Sequence, residues 1–134
     1  MDAICLLVAG ALRATLPASE ITVGWDHSVE KTRWEERYRV DGMSLRLVEA
    51  RIRGSGAGME PAPDATFEHG WWTWRPHDTT LATLRLTLSP YTRDYDICWS
   101  ARCEPLQRIV NATGVVELRA CSRDDYRRAQ RHDR

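Results

Sequence analysis

The 134-residue sequence has almost no lysine and almost no phenylalanine: Lys31 and Phe67 are the only examples, against 18 Arg and 6 Trp. An arginine bias of this size reads as genome composition rather than chemistry. Charge of one sign is also missing, since 19 Lys+Arg balance 19 Asp+Glu. Without a basic excess to displace counterions, nucleic-acid binding is not expected. No apolar run reaches the roughly 20 residues that a helical membrane span requires. There is no helical periodicity of three clear turns, no internal repeat and no linker dividing two domains. What remains suits one globular domain, with 43% hydrophobic and 28% charged residues.

Ala3 to Leu12 is the longest apolar run, at ten residues. Its length matches the core of a signal peptide, with cleavage expected near Ala18. Against that stand an acidic start, Met1-Asp2, and Leu16 at the −3 position. The other reading is a buried first strand or helix. Residues 1–18 are expected to form a signal peptide, 19–121 one β domain and 122–134 a charged, solvated tail. Cys98 and Cys103 flank Trp99-Ser100-Ala101-Arg102. If Ser100-Ala101 is a two-residue hairpin turn, the cysteines face each other one pair beyond the closing pair. A zinc half-site and two free thiols are the alternatives, but the remaining Cys and His are not spaced for zinc. The reading is a Cys98–Cys103 disulfide in an oxidising compartment, with Cys121 left as an unpaired thiol.

Most of the chain after residue 19 alternates with period two, as strands do. Ile21, Val23 and Trp25 share one face, as do Trp34, Glu36, Tyr38 and Val40. Asp41-Gly42 is a strong hairpin signal. Met43, Leu45 and Leu47 continue the alternation, then Val48, Ala50 and Ile52 take over the apolar phase, which implies a β-bulge. Thr66–Glu68 and Trp71–Trp74 around His69-Gly70 form a second hairpin. Leu84–Leu88, Tyr95–Trp99 and Val115–Leu118 complete the pattern. About eight short strands imply an all-β antiparallel sandwich or barrel. With the Asp41-Gly42 turn as centre, Val40 should face Met43, Tyr38 Leu45 and Trp34 Glu49, with Glu30 near Arg53. Glu36, on an apolar face, then needs a partner: an Arg, backbone donors, or a bulge that turns it outward.

Three segments and one scattered set of residues could carry chemistry. His27-Ser28-Val29-Glu30-Lys31-Thr32 concentrates imidazole, hydroxyl, carboxylate and ammonium groups, and reads as a polar binding site, an acid–base pair or a solvated turn. Gly54, Gly56 and Gly58 can form an anion-binding nest, but neither a Walker loop nor a dinucleotide fingerprint follows. The alternative is a flexible connection. Trp72 and Trp74 share a strand face and read as core, with Trp71 the better candidate for exposure. His27, Glu30, His69 and His77 have no recognised ligand spacing, so neither metal nor cofactor is expected.

The runs WDHSVEKTRWEE, VEARIRGSGAGMEPAPDA, GWWTWRP and CWSARCEPL resemble the DUF1850 family of bacterial exported proteins. The resemblance covers roughly Ile21 to Leu106. The chain departs at Arg33 and Ala62, where Pro is more usual in the family, which bears on local loop shape. The resemblance implies a periplasmic location and association with TAXI-type TRAP transporters, the partner being a solute-binding protein or a TRAP membrane subunit. It adds weight to His27, Ser28, Glu30, Lys31, Trp34, Glu35, Arg53, Gly54, Ser55, Gly56, Gly58, Met59 and Glu60 as binding residues. The expected function is therefore a non-enzymatic accessory module, without a membrane span in the mature chain. The alternative is a small periplasmic hydrolase using His27 with Glu30 or Glu35.

Overall fold

The structure, a computed structural model, describes residues 2–27, 32–54, 62–77 and 79–122, with His27 described for its backbone alone. The fold is all-β, with antiparallel sheets packed as a sandwich. Among the described residues there are twelve strands and one short helix.

The apolar run read as the core of a signal peptide forms the first strand in this structure. β1 (Asp2–Val8) pairs on one side with β2 (Ala11–Leu16) and on the other with the last strand, Gly114–Ser122. Ala3, Ile4, Cys5 and Leu6 are all 5% exposed or less. A continuous apolar run is what a strand covered on both faces needs, and periodicity alone cannot separate it from a leader core. Residues 2–16 therefore belong to the β domain in this structure, whose start the sequence reading had put at residue 19.

β3 (Glu20–His27), β4 (Thr32–Asp41) and β5 (Ser44–Arg53) form the middle of the larger sheet. The β4–β5 turn differs from the sequence expectation. Gly42 and Met43 are its two central residues, and Asp41 pairs with Ser44. Gly42 has φ 62°, and glycine at the first central position is what a type II′ turn requires. Val40 thus faces Leu45 and Tyr38 faces Leu47, while Met43 points outward, 77% exposed. The bulge is where the phase slip placed it. Arg37 pairs with Glu49 and Tyr38 with Leu47, leaving Val48 as the extra residue. Beyond it Trp34 faces Ile52, not Glu49, and Arg33 rather than Glu30 faces Arg53.

The larger sheet continues through β6 (Thr66–Glu68) and β7 (Trp71–Trp74) on the β5 side, with β8 (Thr80–Leu81) pairing further along β5. After β9 (Leu84–Leu88), which belongs to the smaller sheet, β10 (Asp96–Trp99) and β11 (Arg102–Pro105) extend the opposite flank. α1 (Leu106–Val110) then leads to β12 (Gly114–Ser122), so the smaller sheet runs β2-β1-β12-β9. Ile4, Leu6, Val116, Leu118, Leu86 and Leu88 of the smaller sheet pack against Ile21, Val23, Tyr38, Leu45, Leu47 and Ile97 of the larger. Arg13 ties the helix to β2, donating from Nε to the Val110 carbonyl at 2.8 Å and from Nη2 to the Asn111 carbonyl at 2.7 Å. Among the described residues no helix is long and apolar enough to cross a membrane.

Two disulfides lock the fold. Cys98 and Cys103 face each other across the β10–β11 hairpin, Cα atoms 4.0 Å apart, as the turn geometry implied. Ser100 and Ala101 both have positive φ, 48° and 62°, as a type I′ turn demands. Cys121, expected to be unpaired, is bonded to Cys5 with Cα atoms 5.9 Å apart. Register puts Cys121 opposite Ala3, so Cys5 is its diagonal neighbour; assigning Cys5 to a leader had hidden the partner. The Cys5–Cys121 link closes a separation of 116 residues and Cys98–Cys103 one of 5. Urea unfolding should therefore show a loss of about 5 kcal/mol for the Cys5→Ala/Cys121→Ala pair and about 2 kcal/mol for the Cys98→Ala/Cys103→Ala pair, if chain entropy dominates. Equal losses would contradict that ordering.

Candidate functional site

Three strand ends lie at one end of the larger sheet. His27 ends β3, Thr32 starts β4 opposite it, and Arg53 ends β5 opposite Arg33. The connections at 28–31 and after Gly54 therefore leave from the same end, as the hairpin argument anticipated, although by a different register. Ser28, Glu30, Lys31, Ser55, Gly56, Gly58, Met59 and Glu60 lie outside the described residues. So does the tail after Ser122.

At this end the inner face is aromatic. Trp25, Trp34, Ile52 and Trp72 occupy one row across β3, β4, β5 and β7, with Val23, Glu36, Ala50 and Trp74 in the next. Trp25 and Trp34 stack, ring centroids 6.1 Å apart and planes within 3°. Trp34 meets Trp74 edge-on, also at 6.1 Å, across the small side chain of Ala50 and beside Ile52. Ala50 and Ile52 are 3% and 2% exposed, yet neither belongs to the sandwich core. This half of the sheet has its own tryptophan layer. Phe67 packs against Trp72 at 4.8 Å and is still 59% exposed. Trp72 and Trp74 are thus packed, as expected, but in a layer beside the core rather than within it. Among the described residues the buried Trp34 Nε1 and Thr32 Oγ1 have no hydrogen-bond partner.

Glu36 is on this inner face, half-buried, and accepts a hydrogen bond from Tyr38 Oη at 3.1 Å. The expected partner was an arginine or a backbone donor. The residue two along on the same strand face does the work instead, because same-face neighbours on a strand are two apart. Burial raises the Glu36 pKa above the usual carboxylate range, and the Tyr38 bond only partly offsets it. Tyr38 is raised too, by burial first and then by Glu36.

The outer face of the same strands is a charge ladder. Arg51 holds Glu35 through Nε, at 2.8 Å, and Nη2. Arg33 reaches Glu35, Asp26 and, at 2.9 Å, Asp96. Gly24 makes that last reach feasible: a Cβ there would be 2.3 Å from Arg33 Nη2. Arg37 bridges Glu20 and Glu49 at 3.0 and 3.3 Å. Burial works to raise Glu20, but hydrogen bonds from Arg37 and Arg39 outweigh it and hold the carboxyl low. Trp71 has the Arg51 guanidinium over its ring at 4.0 Å, with Arg53 further out at 5.9 Å. Of the residues singled out in sequence, Trp34 is thus in the inner aromatic layer, while Glu35 and Arg53 belong to the outer face. Among the described residues no three His, Cys, Asp or Glu side chains group as metal ligands.

Beside Trp25 the segment between β9 and β10 forms the far wall of a cleft of 460 Å³, which residue types gave no reason to single out. Trp25 and Tyr95 meet edge-on at 6.1 Å across its floor. The positions are set by separate elements: β3 carries Trp25, and α1 anchors Tyr95, whose carbonyl accepts from Leu106 N–H at 2.8 Å.

Residues 21–106 match the family described as Domain of unknown function (DUF1850). The chain belongs to the DUF1850 family. No curated protein and no solved structure matches it. The DUF1850 match runs from Ile21 on β3 to Leu106 at the start of α1. It takes in the larger sheet, the tryptophan layer and the cleft, while β1, β2 and β12 fall outside it.

The raised Glu36 pKa fixes the sign of a pH effect. A carboxyl whose folded pKa exceeds its unfolded value favours folding fully while protonated, and that contribution is lost as pH rises through the folded value. Glu36→Gln should therefore melt higher than the parent at pH 7–8, and the difference should shrink toward pH 4. Thermal melts of both chains across that range check this; a difference that grows in acid would contradict it.

Proposed function

We propose that this DUF1850 chain is an extracytoplasmic, non-catalytic accessory module of a TAXI-type TRAP solute transport system, and that it binds a transporter component through the tryptophan end of its larger sheet. The observation that carries the reading is the aromatic layer of Trp34, Trp72 and Trp74 beside the sandwich core, joined to that core by Trp25 and with Phe67 exposed on it. Exposed aromatic surface is characteristic of interaction sites, and Arg53, at the end of β5, adds a cation on the reverse of the same sheet end, beside Trp71. Two disulfides support an oxidising compartment. The carboxylates of the outer face are engaged by arginines, which favours binding over acid–base work for Glu35.

The purified chain should bind the TAXI-type solute-binding protein or TRAP membrane subunit of its own transport system saturably. Phe67→Ser and Arg53→Glu should each weaken that binding at least tenfold with an unchanged melting midpoint. Met43→Ala, at the opposite end of the β4–β5 hairpin, should leave it intact. Absence of saturable binding to either component would overturn the proposal, as would equal sensitivity to Met43→Ala.

A further inference from the structure

The cleft beside Trp25 is a second feature of the same end of the molecule, and its lining chemistry specifies a ligand class on its own. Its volume, 460 Å³, lies within the range of small-molecule sites, about 300–1,000 Å³. Its walls combine three aromatic rings, Trp25, Tyr91 and Tyr95, with hydroxyls from Thr87, Ser89 and Thr92 and one charge of each sign, Asp26 and Arg93. Tyr91 is 95% exposed, so its ring is free for a ligand to cover.

The cleft is already held in shape. Trp25 is fixed by its stack on Trp34. The Asp94 carboxylate accepts from Tyr95 N–H at 2.7 Å and from Gln107 N–H at 3.2 Å. Ser89 Oγ accepts from Tyr91 N–H at 3.1 Å, shaping the turn that presents Tyr91. That bond uses an acceptor site of Ser89 and leaves its hydroxyl proton available to donate. Preorganisation of this kind lowers the ordering cost of binding.

Several ligand classes fit poorly. An acyl chain would strip water from three hydroxyls without replacing their hydrogen bonds. A phosphate would meet the Asp26 carboxylate. A zwitterion needs cation and anion sites held apart, whereas Asp26 and Arg93 already approach to 3.9 Å and Asp26 also meets Arg33 at 3.6 Å. A neutral polyol suits all of it. Its hydroxyls can bridge the acceptor Asp26 and the donor Arg93 without separating them. Its C–H faces can lie on the electron-rich faces of the aromatic rings.

We propose that this cleft is a binding site for neutral saccharide, with Tyr91 as the stacking surface, Trp25 and Tyr95 as aromatic walls and Asp26 and Arg93 as hydroxyl ligands. The inference is independent of the transporter partner: saccharide binding can fail while partner binding stands, and the reverse.

The test is an amide chemical-shift titration of the purified chain with maltotetraose, cellotetraose and N-acetylchitotetraose, beside glycine and inorganic phosphate as charged probes. At least one oligosaccharide should give saturable shifts confined to residues 25–26 and 87–95. Tyr91→Ala and Arg93→Ala should each weaken it at least fivefold with an unchanged melting midpoint, and Tyr91→Phe should retain most of the affinity. No saturable shift with any of the three oligosaccharides would overturn the proposal. So would stronger perturbation of the cleft by glycine or phosphate, or oligosaccharide binding insensitive to Tyr91→Ala.

Discussion

One extra residue, Val48, decides which side chains meet on the larger sheet. Without it, the β5 residues that pair with the first half of β4 would all turn to the other face, because a shift of one residue inverts a strand. With it, Tyr38–Leu47 and Trp34–Ile52 both point inward. The bulge thus lets one hairpin serve two packing layers. Its turn half lies under the smaller sheet with Leu45 and Leu47. Its open half carries Trp34 toward Trp25 and Trp74.

That division links the packing to the proposed function. The smaller sheet covers part of the larger one and is clamped to itself by Cys5–Cys121 across β1 and β12. The uncovered part is protected by indole rings, which bury neighbours such as Ala50 and Ile52 while presenting large, rigid surfaces themselves. On the reverse of the same strands the charges pair in short rungs between Glu20, Arg37, Glu49, Glu35 and Arg51. These pairs are half-buried and keep contact with water, so each is worth little more than a surface pair, about 0–1 kcal/mol, and the ladder sets register more than stability. The proposed recognition surface is accordingly the aromatic end.

Much of this was legible in the residues. Alternation located β3, β4, β5, β9 and β10, and the phase change at Leu47-Val48 located the bulge. The spacing of Cys98 and Cys103 around a two-residue turn gave their bond. Three things were not legible, for physical reasons. A short apolar run looks alike in a buried strand and in a leader, so β1 and the Cys5–Cys121 bond were hidden together. Asp-Gly serves more than one turn type, and the choice moved the pairings next to the β4–β5 turn by two, the bulge adding one more beyond it. The cleft joins Trp25 to residues more than 60 positions later, through the placement of α1 and β9, which local pattern does not encode.

The central claim is that the tryptophan end of the larger sheet is the working surface. Hydrogen–deuterium exchange of the chain, alone and with the TAXI-type solute-binding protein proposed as its partner, tests it most directly. The account predicts new protection at residues 25–27, 32–34, 52–54 and 67–72, with the Asp41–Ser44 turn unchanged. Protection centred on that turn, or on β2 of the smaller sheet, would contradict it.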